Sequence, residues 1–260
     1  MGETTVVTVV GLLHPGEMGA AIGGALRARG EAVLWASAGR SAATAERARE
    51  AGLEDAGDLA ELCRRSEIVL SVCPPHAAVE VAREAAGFEG IYVDANAIAP
   101  ETARTIDGLH ERCVDGGIVG PPPLAAGDTR LYLSGSEAQL VAALFAGTPV
   151  DARVLSAEPG AASALKAAYA GWTKGSAALL LTVRELARAE GVEEPLLEEW
   201  RLSLPETEER LAGAERSARR KGWRWVGEMH EIARSMAARD LPAGFHEAAA
   251  EVFRRTSEQP

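Results

Sequence analysis

Gly16 and Gly19 stand in the run Leu13-His14-Pro15-Gly16-Glu17-Met18-Gly19, between an apolar stretch and an alanine-rich one, and residues of these types at this spacing can hold phosphate. Amides at the start of a helix point outward with a partial positive charge, and glycine lets an anion approach the main chain without meeting a side chain. The chemistry to expect is the binding of a dinucleotide pyrophosphate, with residues 13–19 as contacts. The first glycine of the usual Gly-x-Gly-x-x-Gly pattern is replaced by His14. Histidine tolerates a left-handed or bridge backbone better than a β-branched residue does, and Pro15 stiffens the turn, so the loop can still close. We read His14 as a turn residue beside the phosphates, not as a catalyst.

Two elements must position this turn: a strand over residues 6–10 and a helix over 20–29. A second strand, 32–36, ends where an NAD-binding chain usually places an acidic residue on the ribose hydroxyls. Here the loop reads Ser37-Ala38-Gly39-Arg40-Ser41 and contains no acid. An arginine flanked by two hydroxyls can bond a ribose 2′-phosphate through charge-assisted contacts that a carboxylate would repel. NADP is therefore the expected cofactor, held in part by Ser37, Arg40 and Ser41.

Further along, apolar strands alternate with helices. Strands are expected over 68–72, 91–95, 113–115 and 129–135, and helices over 42–51, 76–86 and 101–110, with a short amphipathic turn at 58–65. That alternation predicts an α/β fold, a Rossmann-type doubly wound, mostly parallel sheet, followed by an all-α C-terminal domain. Ligands of such sheets lie beyond the carboxyl ends of the strands. Cys73, Pro74 and Pro75 follow one strand, either to border the dinucleotide or simply to stop the strand. Asn96 follows another, with an amide that both donates and accepts near a ribose, a carboxamide or a substrate. Residues 117–123 follow a third.

From Glu158 onward the strand signal ends, and a domain border is expected there: 1–157 for the nucleotide and 158–260 for substrate and dimerisation. Helices are read over 161–190, 195–202, 205–221, 223–239 and 242–255, several opened by proline. Trp225, Met229, Ile232 and Met236 recur at helical spacing as an apolar stripe, covered either within the chain or by a twin subunit. We expect a homodimer.

Bulk properties narrow the classes. The chain has 260 residues, 47% of them apolar and 25% charged, as in an ordinary globular protein. A formal charge of −11 opposes encounter with a nucleic-acid backbone or an anionic membrane, so neither is an expected partner. The opening Met-Gly-Glu-Thr-Thr lacks a basic flank and no apolar run reaches membrane-spanning length, which points to the cytoplasm. Cys63, Cys73 and Cys113 form no Cys-x-x-Cys pair, and the five histidines are scattered without metal-ligand spacing. No metal is expected.

The segment Gly160-Ala161-Ala162-Ser163-Ala164-Leu165-Lys166 resembles the catalytic-lysine segment of the 6-phosphogluconate dehydrogenase and β-hydroxyacid dehydrogenase superfamily. The Gly16-Glu17-Met18-Gly19 turn, the strand and loop from Val69 to Pro75, Val93-Asp94-Ala95-Asn96 with Pro100-Glu101-Thr102-Ala103, and the stretch from Asp115 to Gly120 follow the same order. The helical remainder, with Trp223-Arg224-Trp225 and Pro242-Ala243-Gly244-Phe245-His246, looks like that of a distinct bacterial branch. The resemblance implies hydride transfer between a nicotinamide and a small hydroxy or oxo compound, with Lys166 as the proton-transfer residue. It also implies substrate contacts at Val119, Gly120 and Pro121, although the family's serine is here Val119, its following glycine is Pro121, and an asparagine one turn after the lysine is Ala170. Tyr169 and Thr173 share the face of Lys166 and are candidate substrate-orienting hydroxyls, with ordinary packing the other reading of Tyr169. Imine reduction and NADPH sensing without catalysis are the alternative functions.

Overall fold

The computed structural model describes residues 7–257. Val6 and the opening Met-Gly-Glu-Thr-Thr lie outside them. Contacts divide the chain into two compact units, Met1–Lys166 and Ala167–Pro260.

The first unit is a sheet of eight strands wrapped by helices. In chain order these are β1 (Val9–Leu13), α1 (Glu17–Arg29), β2 (Ala32–Trp35), α2 (Ala42–Glu50), β3 (Glu54–Asp55), α3 (Leu59–Arg65) and β4 (Ile68–Ser71). After a 3-10 turn at Pro75–Ala77 come α4 (Ala78–Glu84), β5 (Ile91–Asp94), α5 (Pro100–Asp107), β6 (Cys113–Val119), β7 (Thr129–Ser134), α6 (Ala138–Leu144) and β8 (Val150–Ser156). The sheet order is β3-β2-β1-β4-β5-β6-β7-β8, parallel throughout except where β6 meets β7. This is the doubly wound arrangement the alternating pattern predicts.

Strand residues alternate between two cores, as a period of two demands. Val10, Leu12, Leu70 and Val93 face α1, α2 and α6 through Ile22, Leu26, Ala48 and Val141. Leu13, Val69 and Tyr92 face α3, α4 and α5 through Leu62, Ala82 and Ile106. Sheets buried on both sides read as continuous apolar runs.

Several expectations need correction. The first strand runs Val9–Leu13, so Gly11 lies inside it and pairs with Leu34 and Val69 instead of opening the turn. The strand expected at 113–115 continues to Val119 because β7 pairs with it as far as Arg130. Elements β3, α6 and β8 were not anticipated.

The second unit carries most of α7 (Ala161–Ala189), then α8 (Glu193–Ser203), α9 (Thr207–Ala237) and α10 (Gly244–Thr256). Helices expected at 205–221 and 223–239 are one continuous α9. An interior glycine costs a helix about 1 kcal/mol, and α9, which holds Gly213, Gly222 and Gly227, is kept whole by burial of Ala218, Met229 and Ile232. The Trp225 stripe packs largely within the unit: Trp225 meets Phe253 of α10 edge-on with ring centroids 5.0 Å apart, Met229 and Ile232 are buried, and Trp225 and Met236 are half-buried. Among the described residues no helix is long and apolar enough to cross a membrane.

Candidate functional site

The turn after β1 has three distinct tasks, and three residues divide them. His14 adopts φ 64, the left-handed region that the missing glycine would occupy. Gly19 lets α1 pack on the turn, since a Cβ there would stand 2.9 Å from the His14 carbonyl oxygen. Gly16 caps α1 without a side chain, and a Cβ built on it would meet nothing within 4 Å. The helix start is thus uncapped by any side chain and open above Gly16, which fits a pyrophosphate.

The other residues of the turn are placed around it. Leu13 and Pro15 are buried, Met18 packs against the core, and Glu17 is exposed as the first residue of α1. Burial, reinforced by the charge of Arg40, lowers the His14 imidazole to about 4. Its Nδ1 is buried without a hydrogen-bond partner.

Beyond β2 the chain turns sharply, with Arg40 N–H donating to the Ser37 carbonyl at 3.0 Å. The Arg40 side chain is exposed. Ser41 is committed to capping α2, where its Oγ accepts from Thr44 N–H at 3.3 Å and meets Thr44 Oγ1 at 3.1 Å. Sequence reasoning missed Arg47. Its Nε donates to the Pro15 carbonyl at 3.3 Å and its Nη2 to Thr44 Oγ1 at 3.1 Å, which ties α2 to the glycine turn.

The loops after β4 and β5 are knotted together. Asn96 Nδ2 donates to Asp94 Oδ2 at 2.7 Å and to Ser71 Oγ at 3.2 Å, while its Oδ1 accepts from Cys73 N–H at 2.5 Å. Both side-chain N–H bonds are therefore spent inside the protein, and Asn96 is 3% exposed. Its amide holds the Cys73 loop in place. Burial pushes the Asp94 carboxyl up to about 7 against the pull of the Asn96 donors, and pushes the Cys73 thiol up to about 12, so Cys73 is no nucleophile at neutral pH. Pro74 is exposed, and Pro75 begins the 3-10 turn.

Lys166 lies on the second turn of α7, and that helix start is bolted to the sheet. Asp115 on β6 accepts from Ser163 N–H at 2.9 Å, Ser163 Oγ at 2.5 Å and Ser134 Oγ at 2.9 Å. Ser134 Oγ in turn accepts from Ala162 N–H at 3.0 Å. Gly117 makes the approach possible: a Cβ there would stand 2.7 Å from the Ala162 oxygen and 3.1 Å from Lys166 Cβ. Lys166 is half-buried. Its neighbours Ala164 and Ala168 are exposed, so α7 is buried on one side here and not all round.

Since β1, β4, β5 and β6 run parallel, their carboxyl ends share one edge of the sheet. The His14 turn, the Cys73 loop, Asn96 and Lys166 beside Gly117 all belong to that side. Val119 is a correction: it is a 3% exposed strand residue paired with Arg130, not part of a loop. Gly120 and Pro121 do form the exposed loop, with the Pro121 carbonyl accepting from Thr129 Oγ1 at 2.5 Å. In the second unit Tyr169 is exposed, and the Thr173 hydroxyl donates back to the Tyr169 carbonyl at 3.0 Å. Among the described residues no group of three or more His, Cys, Asp or Glu could hold a metal ion.

Residues 187–256 match the family described as domain of unknown function DUF1932. The conserved protein MTH1747, of unknown function and with structural similarity to 3-hydroxyacid dehydrogenases, superimposes with a TM-score of 0.73 at 30% identity, over 95% of this chain and 96% of that one. An uncharacterized 28.5 kDa protein of Methanothermus fervidus is 33% identical over 164 residues, 62% of this chain and 63% of the relative's own length. The 3-hydroxyisobutyrate dehydrogenase of Mycobacterium tuberculosis shares the fold at 16% identity, with a TM-score of 0.72 over 96% of this chain and 94% of that one.

Proposed function

We infer that this chain, which belongs to the 6-phosphogluconate dehydrogenase and β-hydroxyacid dehydrogenase superfamily, is an NADP-dependent oxidoreductase acting on a small hydroxy or oxo compound. The observation that carries this reading is that the open turn over Gly16 and the bolted helix start bearing Lys166 belong to the same carboxyl edge of one parallel sheet. The nicotinamide supplies hydride acceptance or donation at C4 when bound. Residues 13–19 would hold the pyrophosphate and Arg40 the 2′-phosphate, with the Cys73 loop alongside, held by Asn96. Gly120 and Pro121 border the substrate. Lys166 accepts the hydroxyl proton in oxidation and returns it in reduction, the role of a positioned general base and acid. A solved chain of this fold, Psf3, is described in complex with NADP+ at 21% identity.

A panel of hydroxyacids, 2-oxo and 3-oxo acids and cyclic imines, followed by NADPH absorbance, tests the reading. Turnover of a hydroxy or oxo compound that disappears in Lys166→Met, with NADPH affinity retained, supports it. Turnover unchanged in that variant sinks the role of Lys166. Imine turnover alone would favour imine reduction, the activity named for a chain of this fold from Myxococcus stipitatus at 19% identity. Binding of NADPH with no turnover on any compound would favour a sensor.

The reading includes a homodimer. Tyr169, Trp172, Leu179 and Leu186 are exposed and recur along one stripe of α7, the kind of apolar surface a second copy covers. Sedimentation at micromolar concentration should give twice the chain mass, and a monomer would contradict it. Three free thiols, Cys63, Cys73 and Cys113, suit the reducing cytoplasm.

A further inference from the structure

Arg47 is tied to the glycine turn and not to a carboxylate. On α2 it stands three residues before Glu50, which could neutralise it on a helix surface, whereas its neighbour Glu46 lies on another face. Glu46 pairs instead with Arg49. The half-buried Arg47 guanidinium turns to two neutral acceptors, the Pro15 carbonyl and Thr44 Oγ1. Among the described residues it forms no ion pair, and its Nη1 has no partner. Elsewhere in the same unit Arg29, Arg64, Arg65, Arg104 and Arg112 each hold a carboxylate, while Arg130 turns to the carbonyls of Gly127 and Asp128 in its own loop. A chain with a net charge of −11 does not lack carboxylates to offer.

We propose that Arg47 is a dinucleotide-binding residue, its Nε and Nη2 locked against the glycine turn while Nη1 and the uncompensated charge face a phosphate of the bound nucleotide. The inference rests on the reading of that turn as a dinucleotide site. Its geometry separates it from Arg40, which belongs to the loop after β2 and has no side-chain bond to the turn. Arg40 would distinguish NADPH from NADH. Arg47, tied to Pro15, would strengthen both. The chain Pro15 carbonyl, Arg47, Thr44 Oγ1, Ser41 Oγ also links the pyrophosphate turn to the ribose loop, with contacts of 3.3, 3.1 and 3.1 Å.

The test is calorimetric titration of the full chain and of Arg47→Gln, Arg47→Lys and Arg40→Gln with NADPH, NADH and ADP-ribose. A charge-assisted hydrogen bond contributes about 10- to 100-fold in affinity. Arg47→Gln should therefore weaken NADPH, NADH and ADP-ribose about equally, by at least about tenfold. Arg47→Lys keeps the charge and loses the fork, and should fall between Arg47→Gln and the unaltered chain, which guards against an effect of folding alone. Arg40→Gln should weaken NADPH only. Affinities within twofold of the unaltered chain in both Arg47 variants would overturn the inference and leave the proposed function standing. An unaltered chain that binds none of the three adenine nucleotides would overturn the proposed function itself.

Discussion

The turn after β1 and the seat of α7 lie on one edge of one sheet, yet they are built on opposite terms. At the turn, groups are left wanting: Gly16 carries no cap, His14 Nδ1 lacks a partner, and Arg40 and Arg47 have no carboxylate among the described residues. At the seat, Asp115 gathers three donors and Ser134 relays a fourth, so nothing polar is left waiting. Unsatisfied groups cost stability, and a ligand is one thing that can complete them. A saturated network gives up that capacity and gains rigidity. On the function proposed above, the difference makes one end of the site the part that receives and the other the part that stays still.

The largest expected break of this contrast is Lys166→Met, which should reduce turnover by at least about 100-fold on any substrate found, measured by NADPH absorbance. The fold should be unaffected, because the amine ends a half-buried side chain. Next comes Asp115→Ala. It strands Ser163 N–H and two hydroxyls in the interior, and should cost about 3 kcal/mol in urea unfolding, with Asp115→Asn milder. A midpoint unchanged in Asp115→Ala would show that the seat is not the saturated network described.

The smallest effects, at most about 1.4 kcal/mol per pH unit, are two pH slopes of opposite sign. Folding lowers His14 to about 4 from its ordinary 6.5, so the native state binds fewer protons than the unfolded chain between those values, and this contribution to stability is lost as pH falls from 6.5 to 4. Folding raises Asp94 to about 7 from 3.8, so the native state binds more protons there, and stability falls as pH rises from 3.8 to 7. His14→Asn should flatten the first slope and Asp94→Asn the second. Urea midpoints from pH 4 to 8 read both, and parallel curves for either variant and the unaltered chain would refute the corresponding shift.

The doubly wound sheet was legible because buried parallel strands are written as unbroken runs such as Ile68-Val69-Leu70, each followed by a helix. The two edge strands were not. In β8, Val-Asp-Ala-Arg-Val-Leu-Ser mixes charge with exposed apolar residues, as edge strands do, and β3 is two acidic residues long. The continuous α9 was hidden by Gly222, which reads as a break until the helices packed on it are known. At the site, the backbone of His14 could be anticipated from its place in the pattern. Arg47 could not, since one arginine among Glu46, Arg49 and Glu50 looks like a solvated helix face. Asn96 was found, but its partners Ser71 and Cys73 come from a strand and loop more than twenty residues earlier. A signal for the α7 seat did exist: Asp115 is a carboxylate inside an otherwise apolar strand, which demands donors from somewhere.

The seat also constrains the order of assembly. Asp115 and Ser163 are separated by 48 residues, and Ala162 and Ser134 by 28, so their bonds reward the chain only after β6 and β7 have found each other. The placement of the lysine is then expected to come late in folding, after the rate-limiting barrier. Weakening it by Asp115→Asn should hasten unfolding while leaving the refolding rate nearly as it was.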